Sequence, residues 1–290
     1  MTTRYDRHIP FFGKEGQSRL TAAHVTVVGI GGLGSHVVQQ LALLGVGKLT
    51  LIDSEELAET NRNRYVTARH DDPIPGTRKV DIAERLILAV NPDIKIVKIA
   101  DTLVSESGFA AIIGSEFVFG CLDSDGARLV LNELCAAYER PYFDLATEII
   151  PGSPPTYGGR VCAAWDGHGC IVCYGLLDTA EAQTDLSGPE AQRSRNKLYG
   201  IDMEGLDRAG PSVVSINGVV ASLGVTEFML AVTGIRAHKP VLTYRGHMGG
   251  VSLATESPAP DCYYCRGVRG KRDLADVRRY LRAGVGQYLR

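Results

Sequence analysis

Over the first half of the chain, short apolar runs rich in β-branched residues alternate with longer runs whose apolar positions recur every three or four residues. That alternation is the sequence sign of a parallel sheet wrapped by helices. His24–Val28, Lys48–Asp53, Ile94–Ile99, Phe117–Gly120 and Tyr142–Leu145 read as strands. Leu33–Leu44 reads as a helix entered through glycines, and Thr77–Val90 as one with Val80, Ala83, Leu86, Ile87 and Val90 on a single face. Asp125–Tyr138 is the helix before the fifth strand, with Leu129, Leu131, Leu134 and Ala137 at its apolar positions. The second half is patterned differently. An antiparallel strand, Gly159–Trp165, follows the Pro/Gly cluster Pro151–Pro155, and 177–210 is polar and weakly periodic, which reads as a long crossing loop. Ser212–Gly234 is a long apolar helix, Val241–His247 and Val251–Thr255 are strands joined at Gly249–Gly250, and Asp273–Arg290 is a basic amphipathic end. The expected class is α/β, a doubly wound, mostly parallel sheet extended by antiparallel strands, with no internal repeat.

Composition sharpens this in three places. Ser212–Gly234 is long enough to cross a membrane, but it carries Asn217, Glu227 and several Ser, Thr and Gly residues, so it reads as a buried helix of a soluble core. The chain has 290 residues, 44% of them apolar and 22% charged, with a formal net charge of -2. That balance gives no global reason to expect binding to nucleic acid or to a membrane surface. The opening MTTRYDRHIP lacks the apolar stretch of a secretory signal, and seven cysteines without an export signal point to a reducing compartment, so the cytoplasm is the expectation.

Candidate chemistry begins at Gly29-Ile30-Gly31-Gly32-Leu33-Gly34-Ser35, which leaves a strand and opens a helix. Glycines permit the tight turn and close approach of backbone to phosphate, and the helix N-terminus offers unpaired N–H groups. Asp53 ends the next strand, where a carboxylate accepts hydrogen bonds from ribose hydroxyls. The order is that of a Rossmann-like nucleotide-binding half, and taken alone it gives an NAD-dependent oxidoreductase first claim. The following residues shift the balance. Thr60-Asn61-Arg62-Asn63-Arg64-Tyr65 and Arg78-Lys79 place cations beside the turn, which a triphosphate needs and a dinucleotide does not. Asp123, just past the fourth strand, is placed to hold Mg²⁺ against a polyphosphate.

These residues carry a resemblance to the ubiquitin-activating-enzyme-like adenylyltransferases of the ThiF, MoeB and HesA type. The matching segments are Arg4-Tyr5-Asp6-Arg7-His8-Ile9, Gly29–Ser35, Leu49–Asp53, Asn61 with Arg64, Lys79, Asn91-Pro92, Cys121-Leu122-Asp123-Ser124 and two CxxC pairs, from Arg4 to about Cys265. The resemblance implies that Asp53 binds the ATP ribose, that Asn61, Arg64 and Lys79 handle the phosphates, and that Asp123 holds Mg²⁺. It implies that Arg7 reaches into a partner's site, hence a homodimer. The implied reaction is ATP-dependent adenylation of the C-terminal glycine carboxylate of a ubiquitin-like or sulfur-carrier protein, with pyrophosphate released, for delivery to a conjugating enzyme or sulfur donor. Other readings are adenylation of a modified tRNA base, as in threonylcarbamoyl-adenosine dehydratases, and a non-catalytic scaffold. One domain spans 1–290, with a nucleotide-binding half 1–150, a zinc-bearing half 151–265 and a basic tail 266–290.

Cys170-Ile171-Val172-Cys173 and Cys262-Tyr263-Tyr264-Cys265 supply four thiolates, enough to close a tetrahedral structural zinc site. Disulfides are the alternative, and redox chemistry a weaker one because neither pair starts a helix after a strand. Cys121, Cys135 and Cys162 lie in apolar runs and read as ordinary buried residues. Relatives often carry a cysteine late in the crossing loop, whereas here no cysteine lies between Cys173 and Cys262. The chain is therefore expected to stop at the acyl-adenylate, with an oxyester on Thr184, Ser187 or Ser194 as the lesser reading. Ser124 stands where the family often has Asn. The tail is strongly basic, with Arg266, Arg269, Lys271, Arg272, Arg278, Arg279, Arg282 and Arg290, and reads as a solvated helix or a docking element.

Overall fold

A computed structural model describes residues 3–167, 169–189, 210–255 and 257–289. Its eight strands form one mixed sheet: β1 His24–Val28, β2 Lys48–Ile52, β3 Lys95–Ile99, β4 Phe117–Gly120, β5 Tyr142–Ile150, β6 Thr156–Ala164, β7 Val241–Arg245 and β8 Gly250–Leu253. Their order is β3-β2-β1-β4-β5-β6-β7-β8. The pairings from β3 through β5 are parallel and those from β5 through β8 antiparallel. The described helices are α1 Ile9–Ala22, α2 Gly32–Leu44, α3 Lys79–Val90, α4 Glu106–Ile113, α5 Asp125–Ala137, α6 Thr179–Leu186, α7 Val214–Thr233 and the short α8 Arg279–Arg282.

Alternation along the strands decides which helix covers which face. Val25 and Val27 of β1, Leu49 and Leu51 of β2, and Phe119 and Phe143 point to one side, against α2, α3 and α7. Val28, Ile52, Val118 and Tyr142 point to the other, against α4, α5 and the C-terminal segment. Because β1 is flanked by β2 on one side and β4 on the other, the chain reverses its direction of travel across the sheet there. This is the switch point at which doubly wound sheets open a crevice.

α7 is the one described helix long and apolar enough to cross a membrane. It packs on α1, α2, β5 and β6. Its buried Glu227 carboxylate accepts from Arg236 Nη1 at 2.8 Å and Nη2 at 2.5 Å and from the Lys239 amide at 2.7 Å, so the charge is fully partnered.

The structure departs from the sequence expectations in several places. β5 runs six residues beyond Asp144, the last position that β4 pairs. β6 starts at Thr156, three residues early, because it pairs with all of β5. α1 and α4 carry no strong amphipathic pattern and were not anticipated; α1 leaves Phe11 exposed, and α4 spans only 8 residues. The first part of the expected crossing loop is α6, capped by Asp178, which accepts from the Ala180 and Glu181 amides at 2.9 and 3.0 Å. Ser194 and 205–209 lie outside the described residues. The basic end is not a solvated helix. Its turns pack Val277, Tyr280, Val285 and Leu289 against α5, and Arg278, Arg279 and Arg282 pair with Glu106, Glu133 and Asp276.

Candidate active site

The carboxyl ends of β1, β2, β3, β4 and β5 open into a cleft of about 1070 Å³. Its floor is the turn between β1 and α2. Gly29 has φ +83° and stands so close to the next segment that a Cβ would lie 2.7 Å from the Cys121 carbonyl oxygen. At Gly34 a Cβ would sit 1.9 Å from the Gly29 carbonyl oxygen. Only glycine fits at either place. By contrast, a Cβ on Gly31 would meet nothing within 4 Å, so this part of the turn faces open space. Ser35 and Gly34 are not among the lining residues. Ser35 is buried, and its hydroxyl accepts from the Val66 amide at 3.1 Å while donating to the Gly32 carbonyl at 3.0 Å. It ties the turn to the segment that carries Arg64.

Asp53 projects from the end of β2 onto that turn. One carboxylate oxygen accepts from the Ile30 amide at 2.7 Å, the other from the Glu55 amide at 2.8 Å. A carboxylate has about four acceptor positions, so two remain for hydroxyl donors. Burial pushes its pKa up, against the opposing pull of Lys79 and of the two amides.

Asn61, Arg64 and Lys79 stand along one wall. The Asn61 carbonyl oxygen accepts from the Ala58 amide at 3.0 Å, which leaves its NH₂ group to the cleft. Arg64 lies across Gly32, where a Cβ would come within 3.0 Å of its Cγ, and it donates to the Thr60 carbonyl. Lys79 is buried at the start of α3 and forms an ion pair with Glu55. The segment bearing these groups is locked to α3 by Asp72, which takes both guanidinium nitrogens of Arg85 at 2.6 and 2.8 Å.

Asp123 follows β4 on the opposite side. Burial raises its pKa, and the charges of Glu55 and Asp185 raise it further, with Lys79 opposing. A carboxylate so placed gains from a cation nearby. Ser124, the family departure, caps α5 through the Ala127 amide at 3.3 Å and donates to Asp185 at 3.0 Å.

Behind this lies a buried charged group that the sequence reading missed. Arg128 donates to both oxygens of Asp144 at 3.1 and 2.5 Å and to Asp125 at 2.7 Å, while Tyr142 donates to Asp144 at 2.7 Å. Burial alone would lower the Arg128 pKa; Asp144 more than offsets it. An aspartate inside the apolar run Tyr142-Phe143-Asp144-Leu145 was the available signal. Arg160 lines the cleft beside this group, its Nε unpartnered among the described residues. Cys121 also lines the cleft and is only half-buried, which corrects its reading as an ordinary core residue.

Arg7 is exposed on the turn before α1 and does not line this chain's own cleft. Its neighbours dock instead: Arg4 reaches the Val90 carbonyl at 2.5 Å, and the Tyr5 hydroxyl receives the Asn91 amide at 3.2 Å.

At the other end of the molecule the four CxxC thiols converge, with all sulfurs within 4.8 Å of one another. Cys170–Cys173, Cys170–Cys262 and Cys173–Cys265 are separated by 3.7, 3.8 and 3.3 Å. A tetrahedral ion with metal–sulfur distances of about 2.3 Å puts its sulfurs about 3.8 Å apart, so the cluster suits such an ion, and the sulfurs stand too far apart for disulfides. Cys262 precedes a short helical turn, Tyr263–Val268, but this turn does not follow a strand directly, since β8 ends at Leu253.

A glycine turn at the switch point, an acid at the end of the second strand and a cationic wall define the nucleotide-binding class of doubly wound α/β proteins. Within it, the chain belongs to the ThiF family, whose family model matches residues 5–264. It is 32% identical over 161 residues to the SAMP-activating enzyme E1 of Haloferax volcanii, covering 52% of this chain and 59% of that protein. The chain thus spans less than two thirds of that relative's length. It is 36% identical over 183 residues to the molybdopterin-synthase adenylyltransferase of Salmonella typhimurium, covering 62% of this chain and 71% of the relative. The solved structure of E. coli MccB with ATP aligns with a TM-score of 0.69 at 20% identity, over 91% of this chain and 75% of that one, a likeness of fold.

Proposed function

We propose that the chain is an adenylyltransferase that uses ATP to activate the C-terminal glycine carboxylate of a ubiquitin-like or sulfur-carrier protein. The observation that carries this reading is the meeting, in one cleft, of the open glycine turn, Asp53, the wall of Asn61, Arg64 and Lys79, and Asp123 opposite. The names of the relatives support it.

In this reading Asp53 takes the two ribose hydroxyls on its remaining acceptor positions, and the amides of the glycine turn meet the phosphates. Asn61, Arg64 and Lys79 supply donors and positive charge to the phosphate oxygens as charge develops. Asp123 would hold Mg²⁺, which neutralises the triphosphate and the leaving pyrophosphate. The incoming carboxylate is already ionised at neutral pH, so no general base is needed, and catalysis is positioning plus charge stabilisation.

The unequal lengths of β4 and β5 support a route for the carboxylate. Beyond Asp144 the edge of β5 facing β4 has no strand partner among the described residues, and Ala146–Ile149 line the cleft along that edge. An extended glycine-ended tail suits such an edge, because backbone hydrogen bonds hold it without side-chain bulk. With no cysteine between Cys173 and Cys262, the product is the acyl-adenylate, passed to another enzyme or sulfur donor. Thr184 and Ser187 each donate to a carbonyl of their own helix, at 2.9 and 2.6 Å. We assign zinc to the four cysteines as a structural ion, and Arg7 to the site of a second copy in a cytoplasmic homodimer.

The test is ATP–pyrophosphate exchange with magnesium, in the presence of small proteins ending in glycine. One of them should stimulate exchange, and Asp123→Ala should reduce it at least ~100-fold with an unchanged circular-dichroism spectrum. Normal exchange by that variant would remove Asp123 from the site, and a wild-type protein that binds a nicotinamide dinucleotide but ignores ATP would end the proposal.

A further inference from the structure

We propose that Leu289, held by the segment Val285–Leu289, forms part of the base-facing wall of the nucleotide site and packs on the adenine of bound ATP. The proposal rests on the ATP reading above. The segment lies beyond residues 5–264, the part of the chain that the family model matches.

Leu289 is 3% exposed yet lines the same cleft as Gly31, Asp53 and Asp123. Three contacts fix it there. Gly286 presses on the loop after β3, where a Cβ would fall 2.2 Å from the Val104 carbonyl oxygen. The Tyr288 hydroxyl donates to the Leu186 carbonyl at 2.9 Å, pinning the segment to the end of α6. The Leu289 Cδ2 lies 3.1 Å from the Cβ position of Gly126 in the first turn of α5, three residues past Asp123. A side chain on Gly126 would displace it.

Every cation assigned to phosphate comes from the chain after β2. Beside Asp101, Thr102, Asp123 and Asp125, the lining after β3 and β4 includes Leu103 and Leu122, and Leu289 lines the cleft as well; all three leucines belong to or pack on the apolar cluster covering the α4 and α5 face. With the ribose on Asp53 and the phosphates on Arg64 and Lys79, the base is the part of the nucleotide left to contact apolar surface. A planar base between leucines removes its faces from water. Bound triphosphate without a base would make no use of Leu289.

That difference supplies the experiment. Full-length wild-type, Leu289→Ala and Leu289→Met proteins are titrated with Mg·ATP and, separately, with tripolyphosphate. Leu289→Ala should weaken ATP about tenfold, Leu289→Met by less than twofold, and tripolyphosphate should bind all three alike. In the wild-type protein, amide exchange at 285–289 should slow on adding ATP and not on adding tripolyphosphate, a readout that needs no variant to fold. A folded Leu289→Ala that binds ATP normally overturns the proposal, as does an equal loss of both ligands or unchanged exchange at 285–289 under saturating ATP. Wild-type protein that binds no ATP at all refutes the adenylation reading itself, a result distinct from these.

Discussion

The parallel and antiparallel parts of the sheet are held in different ways. β1, β2 and β4 are buried along all but their first residue, since helices cover both faces. β7 is buried only at its start and β8 has no fully buried residue, with Met248 and Val251 exposed nearby. The parallel part has a core of its own. The antiparallel hairpin has little, and the chain on either side of α7 instead brings four cysteines together from segments far apart in sequence. The candidate cleft is built from turn amides and strand-end carboxylates. With the proposed ion bound, the cysteine cluster would fix a region whose burial alone is thin.

Three experiments press on this contrast. The largest effect is expected at the cysteines: Cys262→Ser, or stripping the ion with a strong chelator, should lower stability by more than ~3 kcal/mol. Amide protection should be lost in β7, β8 and Tyr263–Val268 while persisting in β1 and β4. Equal loss in all strands would show that the two parts are not separately held. Next is Gly34→Ala, which forces a Cβ against the Gly29 carbonyl oxygen at the 1.9 Å position. It should cost about 3 kcal/mol in urea unfolding and weaken ATP binding, and a variant as stable as wild type would mean the turn relaxes freely. The smallest is an acid effect. The Arg85 guanidinium, hydrogen-bonded to Asp72, holds its carboxyl at about 2, below the ordinary 3.8. A depressed carboxylate pKa stabilises the fold above the unfolded value and loses that contribution as pH falls through the folded one. Stability should therefore drop by about 1–2 kcal/mol between roughly pH 4 and 2. Asp72→Asn should flatten this part of the acid limb in denaturant titrations, and an unchanged limb would release the Arg64 segment from dependence on this pair.

Much of the parallel part was legible beforehand. The β1 and β4 boundaries agree with the expected ones at both ends, because a strand buried on both faces leaves a continuous apolar run with polar punctuation. The glycine turn and Asp53 were equally plain, since each is a residue type that the local geometry demands. What escaped notice were features with no local pattern. α4 is too short to show a period, Arg128 looks like one charge on a helix until Asp144 meets it across the sheet, and Leu289 is one leucine in a basic tail. The extension of β5 was missed because its burial fades beyond Leu145.

The sequence by itself determined the strand and helix alternation, the turn that only glycine can make, and the four cysteines able to meet at one ion. These follow from backbone sterics and side-chain chemistry acting over a few residues. Only the tertiary structure decided that Asp123 shares a cleft with Lys79, that the β5 edge beyond Asp144 has no strand partner among the described residues, and that Leu289 of the C-terminal segment lines that cleft. Those are contacts between residues far apart in the chain. They are set by which faces can be buried together, a condition no local stretch of sequence contains.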